Sequence, residues 1–375
     1  MAKTTTPVAE DTTPITGSPD VVSDSGYDNE DKWTDKKLTR RPAWGRMGIA
    51  LNHKDKVTAV AAGQANGLDF EVETAPVVIK YNGRQLETDR VAIIRPEYQG
   101  EPEVVIGYAS PKFVPLQNKE LFEMLDPISK EWPVDTLGVL PAGDGIFMAL
   151  FAGSGEIVPG ENIEDYFLVK SVQNGGSALQ IMYTGFRARC SNALPVATRS
   201  AAVKARIVHT AGVQVRTANA VKLLADMKLA RERMRKMYTQ LAMTHIIESQ
   251  VDDIIKAAFP DPKLGNNARL IEGLDEDILA AAPAGIIDSG THDVARYDYA
   301  MSRILEFRST TKGLYNRITD EYPEIAGTAW AAFNAVTESA DYRRGNSIES
   351  VSMSTLFGSR AAEKTRAFTR AMSMV

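Results

Sequence analysis

YFLVKSV (Tyr166 to Val172), QNGGS (Gln173 to Ser177) and ALQIMY (Ala178 to Tyr183) stand side by side in this chain, and their reading decides the fold class. The outer segments are β-branched and aromatic runs. The centre holds Asn-Gly and Gly-Gly, which supply the positive φ values that a tight antiparallel turn needs. The three segments therefore predict a β-hairpin. Working outward, Val77 to Tyr81 and Val91 to Arg95 read as strands joined across Asn82-Gly83 and a polar loop, followed by a third strand over Val104 to Ala109. A helix is predicted from Asn118 to Met124, with Asn118 as its cap and Leu121, Phe122 and Leu125 on one face.

Beyond Pro195 the strand texture stops and apolar residues recur at spacings of three and four. The clearest run spans Thr217 to Ser249, where Leu223, Leu224, Met227, Ala230, Met234, Met237, Tyr238 and Leu241 fall on one helical stripe. A Pro/Gly/Asn-rich break at Phe259 to Asn267 precedes further helices near Val294 to Ile318, Ala326 to Asp341 and Arg360 to Met374. The fold class is thus α+β: a small antiparallel sheet with a hairpin and a packed helix, followed by a mainly helical C-terminal half. Four regions are expected: an acidic, disordered tail over 1–40, an α+β core over 41–195, a basic helical segment over 196–262 and a helical C-terminal region over 263–375.

Charge is distributed unevenly. The 375 residues carry a net charge of −5, which by itself argues against a polyanionic ligand. Between Arg187 and Lys236, however, stand twelve basic residues against only Asp226 and Glu232, a surplus of ten. Helical charge runs that serve only solubility interleave both signs, and this one barely does. Tyr166, Tyr183 and Phe186 lie close by and could stack on bases, although core packing explains them better.

Motifs for covalent chemistry are missing. Gly143 to Gly155 reads GDGIFMALFAGSG, with no Lys to complete a phosphate-binding P-loop, and an ordinary turn is the better reading. The four histidines are scattered, so no metal site is predicted, and Cys190 reads as a small apolar residue rather than a nucleophile. The carboxylate pairs Glu71/Glu73 and Asp252/Asp253 read as solvated. No cofactor and no enzymatic activity are expected. A single cysteine, no secretory leader and no apolar run of membrane-spanning length point to a cytoplasmic protein without a membrane partner.

Five blocks carry a family resemblance: GLDFEVETAPV (Gly67 to Val77), FVPLQNKELFEMLDP (Phe113 to Pro127), SALQIMYTGFRARCSNAL (Ser177 to Leu194), IVHTAG (Ile207 to Gly212) and GTAWAAFNAVTESADYRRG (Gly327 to Gly345). In this order they resemble phage- and plasmid-borne proteins grouped as domain of unknown function 932. The order of strands, helix and hairpin over residues 70–190 also looks like the core of ATP-independent single-strand annealing recombinases. That likeness implies a bacterial-host protein that oligomerises on single-stranded DNA. The DNA-binding residues expected from the charge pattern are Arg187, Arg189, Lys204, Arg206, Arg216, Lys222, Arg233 and Lys236. Arg187 and Arg189, together with Lys204 and Arg206, are expected to contribute more than the cations of the later helix, because alternate positions on a continuing strand would put Arg187 and Arg189 on one face and Lys204 and Arg206 repeat that spacing. The rival expectation for Arg187 and Arg189 is burial against carboxylates. The rival for the whole chain is a structural or interaction protein of a mobile element, whose basic helix meets an acidic partner.

Overall fold

The computed structural model describes residues 47–97, 100–140, 143–175, 179–187, 192–193, 220–264, 284–345 and 347–375. The tail expected over 1–40 lies outside them. The strands are β1 (Ile49–Ala50), β2 (Glu73–Tyr81), β3 (Arg84–Arg95), β4 (Val104–Ala109), β5 (Val134–Val139), β6 (Gly145–Val158), β7 (Glu161–Val172), β8 (Gln180–Arg187) and β9 (Asn192–Ala193). The helices are α1 (Ala59–Ala65), α2 (Asn118–Ser129), α3 (Ala220–Met243), α4 (Glu248–Ala258), α5 (Ala284–Glu321), α6 (Ala329–Tyr342), α7 (Ile348–Phe357) and α8 (Ser359–Met372). The fold is α+β, with two antiparallel sheets in the N-terminal half and helices after them. The larger sheet has the order β1-β5-β6-β7-β8-β9 and the smaller β2-β3-β4.

The predicted hairpin is β7-β8, with Lys170 opposite Gln180 and Gly175 at φ +82°. Residues 176–178 of its turn lie outside the described residues. The glycine-rich stretch from Gly143 is no turn: most of it forms β6, the longest strand, which pairs with β7 along its length. Its glycines had obscured an apolar run, IFMALFA, that is buried almost throughout. Asn82 and Gly83, both with positive φ, make a two-residue turn, and β3 begins at once at Arg84 instead of after a polar loop.

Alternation along the larger sheet gives it two apolar faces. Ile146, Met148, Leu150, Phe167, Val169, Ile181 and Tyr183 face a core shared with α2, α3, α4, α6 and α8. Phe147, Ala149, Tyr166, Leu168, Met182 and Phe186 face a second cluster closed by Leu356 of α7. Helix α6 reads AWAAFNAV, apolar on all sides, and is accordingly buried all round. Thr328 caps it, accepting from the Ala331 N–H at 3.2 Å.

The smaller sheet is fastened through α2. The capping residue is Gln117, one position earlier than predicted: Glu120 accepts from the Gln117 N–H at 3.1 Å. The Gln117 amide also accepts from the Val72 N–H at 2.8 Å and donates to the Val72 carbonyl at 3.0 Å. Asn118, relieved of capping, donates to the Leu68 carbonyl and accepts from Gln173 at 2.7 Å. Gly107 of β4 sits where a Cβ would fall 2.2 Å from the Asn174 carbonyl oxygen, so the sheet meets the hairpin turn backbone to backbone.

The long helix predicted from Thr217 to Ser249 is two helices, broken at Thr244 to Ile247. There the Ile246 N–H donates to the Gly327 carbonyl and the Ala329 N–H to Thr244. This bridging ties the break to the start of α6, so tertiary hydrogen bonds override the local periodicity.

One buried group joins the two halves. The Glu161 carboxylate at the start of β7 accepts from Arg187 of β8 through both Nε and Nη2, and from the Trp330 indole N–H at 2.9 Å. All three side chains are inaccessible to solvent. Trp330→Phe keeps most of the packing but removes one of the two donors to Glu161 Oε1, leaving Arg187 Nε alone on that oxygen of a buried charge. It is expected to lose about 1–3 kcal/mol of stability, read by urea denaturation. An unchanged midpoint would show that the indole N–H contributes nothing.

Candidate nucleic-acid interface

The apolar stripe predicted on the basic helix is real: Met227, Ala230, Met234, Tyr238 and Leu241 are buried. The cations around it divide into two groups. Arg231 and Arg235 reach back to the larger sheet, where Arg231 Nε and Arg235 Nη1 donate to the same oxygen of Asp165 at 2.7 and 2.8 Å. The other Asp165 oxygen accepts from the Tyr183 hydroxyl at 2.6 Å. Asp165 is fully buried, and three donors compensate its desolvation. Gly153 and Gly155 of β6 make this clamp possible. A Cβ at either would lie within 3 Å of an Arg231 or Arg235 guanidinium nitrogen. Lys228 pairs with Glu131 at 2.7 Å, and both line, with Trp132, Arg231 and Arg235, a space of about 310 Å³.

Arg233 and Lys236 belong to the second group, and both are exposed on the outer side of α3. They remain candidates for binding an anion. Lys222 lies in the first turn of α3, and its side chain is outside the described set. Arg189, Lys204, Arg206 and Arg216 also lie outside the described residues.

Arg187 must be removed from the interface. Its side chain is 0% exposed, held by Glu161 and covered by the Tyr322 ring 4.6 Å from the guanidinium carbon. The alternation argument correctly continued the strand through Arg187, but this side of β8 turns toward the helices, and a buried Arg needs a carboxylate. The aromatic neighbours are core residues as well: Tyr166, Tyr183 and Phe186 are all buried. Sequence reasoning had no means of pairing Glu161 with Arg187, since the partners are fixed by the β7-β8 register. The acidic spacing of β7, Glu161, Glu164 and Asp165, was the available signal.

Other chemistry is sparse. His53 stacks on Phe151 at 4.1 Å with Nδ1 3.5 Å from Asp135, and the Tyr166 hydroxyl donates to Glu164 at 3.0 Å. Burial, reinforced by Asp135, holds the Glu164 carboxyl above its usual range. Among the described residues no three such side chains form a metal-binding group. Asp252 and Asp253 are exposed and paired with Lys312 and Arg370. No helix among the described residues is long and apolar enough to cross a membrane.

Cations bound to buried carboxylates and cations on solvated positions should respond differently to truncation. Arg187→Ala strands the buried Glu161 charge and is expected to destabilise the fold by about 3–5 kcal/mol. Arg233→Ala with Lys236→Ala, both on solvated positions, should move the melting temperature by no more than a degree or two. Calorimetry on the two variants checks this, and similar melting curves for both would refute the division.

A search of curated proteins and a search of solved structures each return no match. A family described as a domain of unknown function (DUF932) matches residues 105–374. That interval runs from β4 to the C-terminal helix and takes in Glu161, Asp165, Arg187, Arg231, Arg235 and Trp330, so the clamp and the junction between the halves lie inside the matched region. It covers well over half of the sequence, and the chain belongs to the DUF932 family.

Proposed function

We propose that this protein binds single-stranded DNA and anneals complementary strands without ATP, as a phage- or plasmid-encoded recombination protein working in the bacterial cytoplasm. The observation that carries the reading is the division of the basic segment. Between β8 and α3, residues 188–219 hold Arg189, Arg199, Lys204, Arg206 and Arg216 and no acidic residue at all. The segment leads directly into α3, which presents Arg233 and Lys236 outward. Glu161, Asp165 and Glu131 are already committed to Arg187, to Arg231 with Arg235, and to Lys228 respectively.

Annealing needs no covalent step. Cations neutralise two phosphate backbones enough to let them approach, and the base edges stay free to pair. Contacts that are individually weak add up when several protomers sit on one strand, so a homo-oligomer is the working form. Neither a nucleotide nor a metal takes part in that chemistry. The rival reading, a structural or interaction component of a mobile element, draws support from exposed aliphatic residues on β2 and β3, among them Val78, Ile79 and Leu86.

Fluorescence anisotropy with a labelled oligonucleotide decides between them. Annealing protein should bind single strands with a log-log salt slope of about −2 to −4, equivalent to roughly three to six neutralised phosphates. Complementary strands should anneal in chelator-treated, nucleotide-free buffer. A flat salt dependence, or no binding at low salt, leaves the interaction reading in place.

A further inference from the structure

Helix α7 closes the second apolar face of the larger sheet, and it does so with little besides apolar contact. Met353, Leu356 and Phe357 fall on one stripe of the helix and pack on the cluster that contains Phe147, Leu168 and Met182. The Lys170 ammonium sits over the Phe357 ring, 4.3 Å from its centre. Among the described residues no hydrogen bond runs between α7 and the larger sheet. The bonds that α7 makes go to its own cap and to the start of α8: Ser347 accepts from the Ser350 N–H at 3.1 Å, and the Ser354 hydroxyl meets that of Ser359 at 3.1 Å.

A second side of α7 is buried without being satisfied. Ser352 and Thr355, three residues apart and therefore neighbours on the helix surface, are 0% and 2% exposed. Among the described residues neither hydroxyl finds a hydrogen-bond partner. A hydroxyl taken out of water unpaired opposes the burial that takes it there, and two of them act here on a ten-residue helix. Helices of that length do not hold themselves in water. The sequence IESVSMSTLF adds three serines, a threonine, a valine and an isoleucine, all weaker helix formers than alanine or leucine. Its neighbours are tied down by bonds to buried carboxylates, α6 through Trp330 to Glu161 and α3 through Arg231 and Arg235 to Asp165. Among its described residues α7 has no such tie.

Glycines stand at both joints. Gly345 lies two residues before the cap Ser347, Gly358 directly follows the helix, and both are exposed. A Cβ at Gly358 would lie 2.9 Å from the Ser354 Cα, so the closed form itself requires glycine there.

We infer that α7 is a releasable strap, which leaves the sheet about Gly345 and Gly358 and uncovers the apolar surface under Met353, Leu356 and Phe357 while the rest of the molecule stays folded. Opening hydrates the Ser352 and Thr355 hydroxyls and so recovers what closure withholds from them. The folded protein thereby has an apolar sheet surface that is accessible only part of the time. The strap is independent of single-strand binding.

Hydrogen exchange read by mass spectrometry on the full-length protein tests this. In the wild type, α7 should exchange roughly tenfold faster or more than β7 and α6, and its exchange should respond less to added urea, because local opening exposes less surface than global unfolding. Ser352→Ala/Thr355→Val removes both hydroxyls at nearly constant shape and should slow α7 exchange by roughly tenfold. Ser350→Ala, at an exposed position of the same helix, is the reference for the helix propensity that alanine brings by itself. Protection and urea response of α7 equal to those of β7 overturn the strap, since α7 would then open only with the whole fold. A double variant that exchanges no more slowly than Ser350→Ala overturns it as well, since the unpaired hydroxyls would then not set the opening.

Discussion

The Glu161 carboxylate is the constraint on which the rest of the structure depends. A negative charge inaccessible to water survives only with donors arranged around it, and these come from a neighbouring strand and from a helix 169 residues away in sequence. Satisfying Glu161 fixes the register of β7 against β8, because Arg187 must reach it. It also fixes the position of α6, because the Trp330 indole must point at it. The apolar core alone would tolerate some sliding of helices over the sheet, but directional bonds to one carboxylate remove that freedom. Asp165, four residues along the same strand, repeats the device for α3 with Arg231, Arg235 and Tyr183.

These two anchors change what the basic segment means. Its surplus of positive charge is partly an internal matter, since four of its cations are already opposite carboxylates of the larger sheet or of the turn after α2. What is left for an external anion is the acid-free stretch before α3 and the outward positions on that helix. Removing Arg187 from the proposed DNA site therefore separates the cations held inside the fold from Arg233 and Lys236, which are exposed on α3.

Much of the fold was legible from local pattern. Alternating β-branched runs around Asn-Gly and Gly-Gly turns gave the hairpins, because the positive φ of a tight turn is a local demand met by particular residues. Three- and four-residue spacing gave the helices. β6 was hidden because Gly145, Gly153 and Gly155 mimic a loop, and only packing shows their purpose: the last two make room for guanidinium groups from α3. The break before α4 was equally hidden, since the hydrogen bonds that create it come from residues 327 and 329. The candidate site was less legible still. Whether an arginine on a strand faces solvent or a carboxylate depends on a register between distant segments.

The outer strand of the smaller sheet has a consequence for strand-by-strand aggregation. β2 is an edge with apolar Val77, Val78 and Ile79 in succession and Tyr81 just beyond Lys80, the kind of ribbon that extends itself by adding further strands. Pro76 interrupts that edge, since it has no N–H to offer an incoming strand, and the irregularity beside it breaks the even spacing a second ribbon would have to match. The arm thereby keeps its stickiness in its side chains while its backbone is poorly suited to templating fibrils.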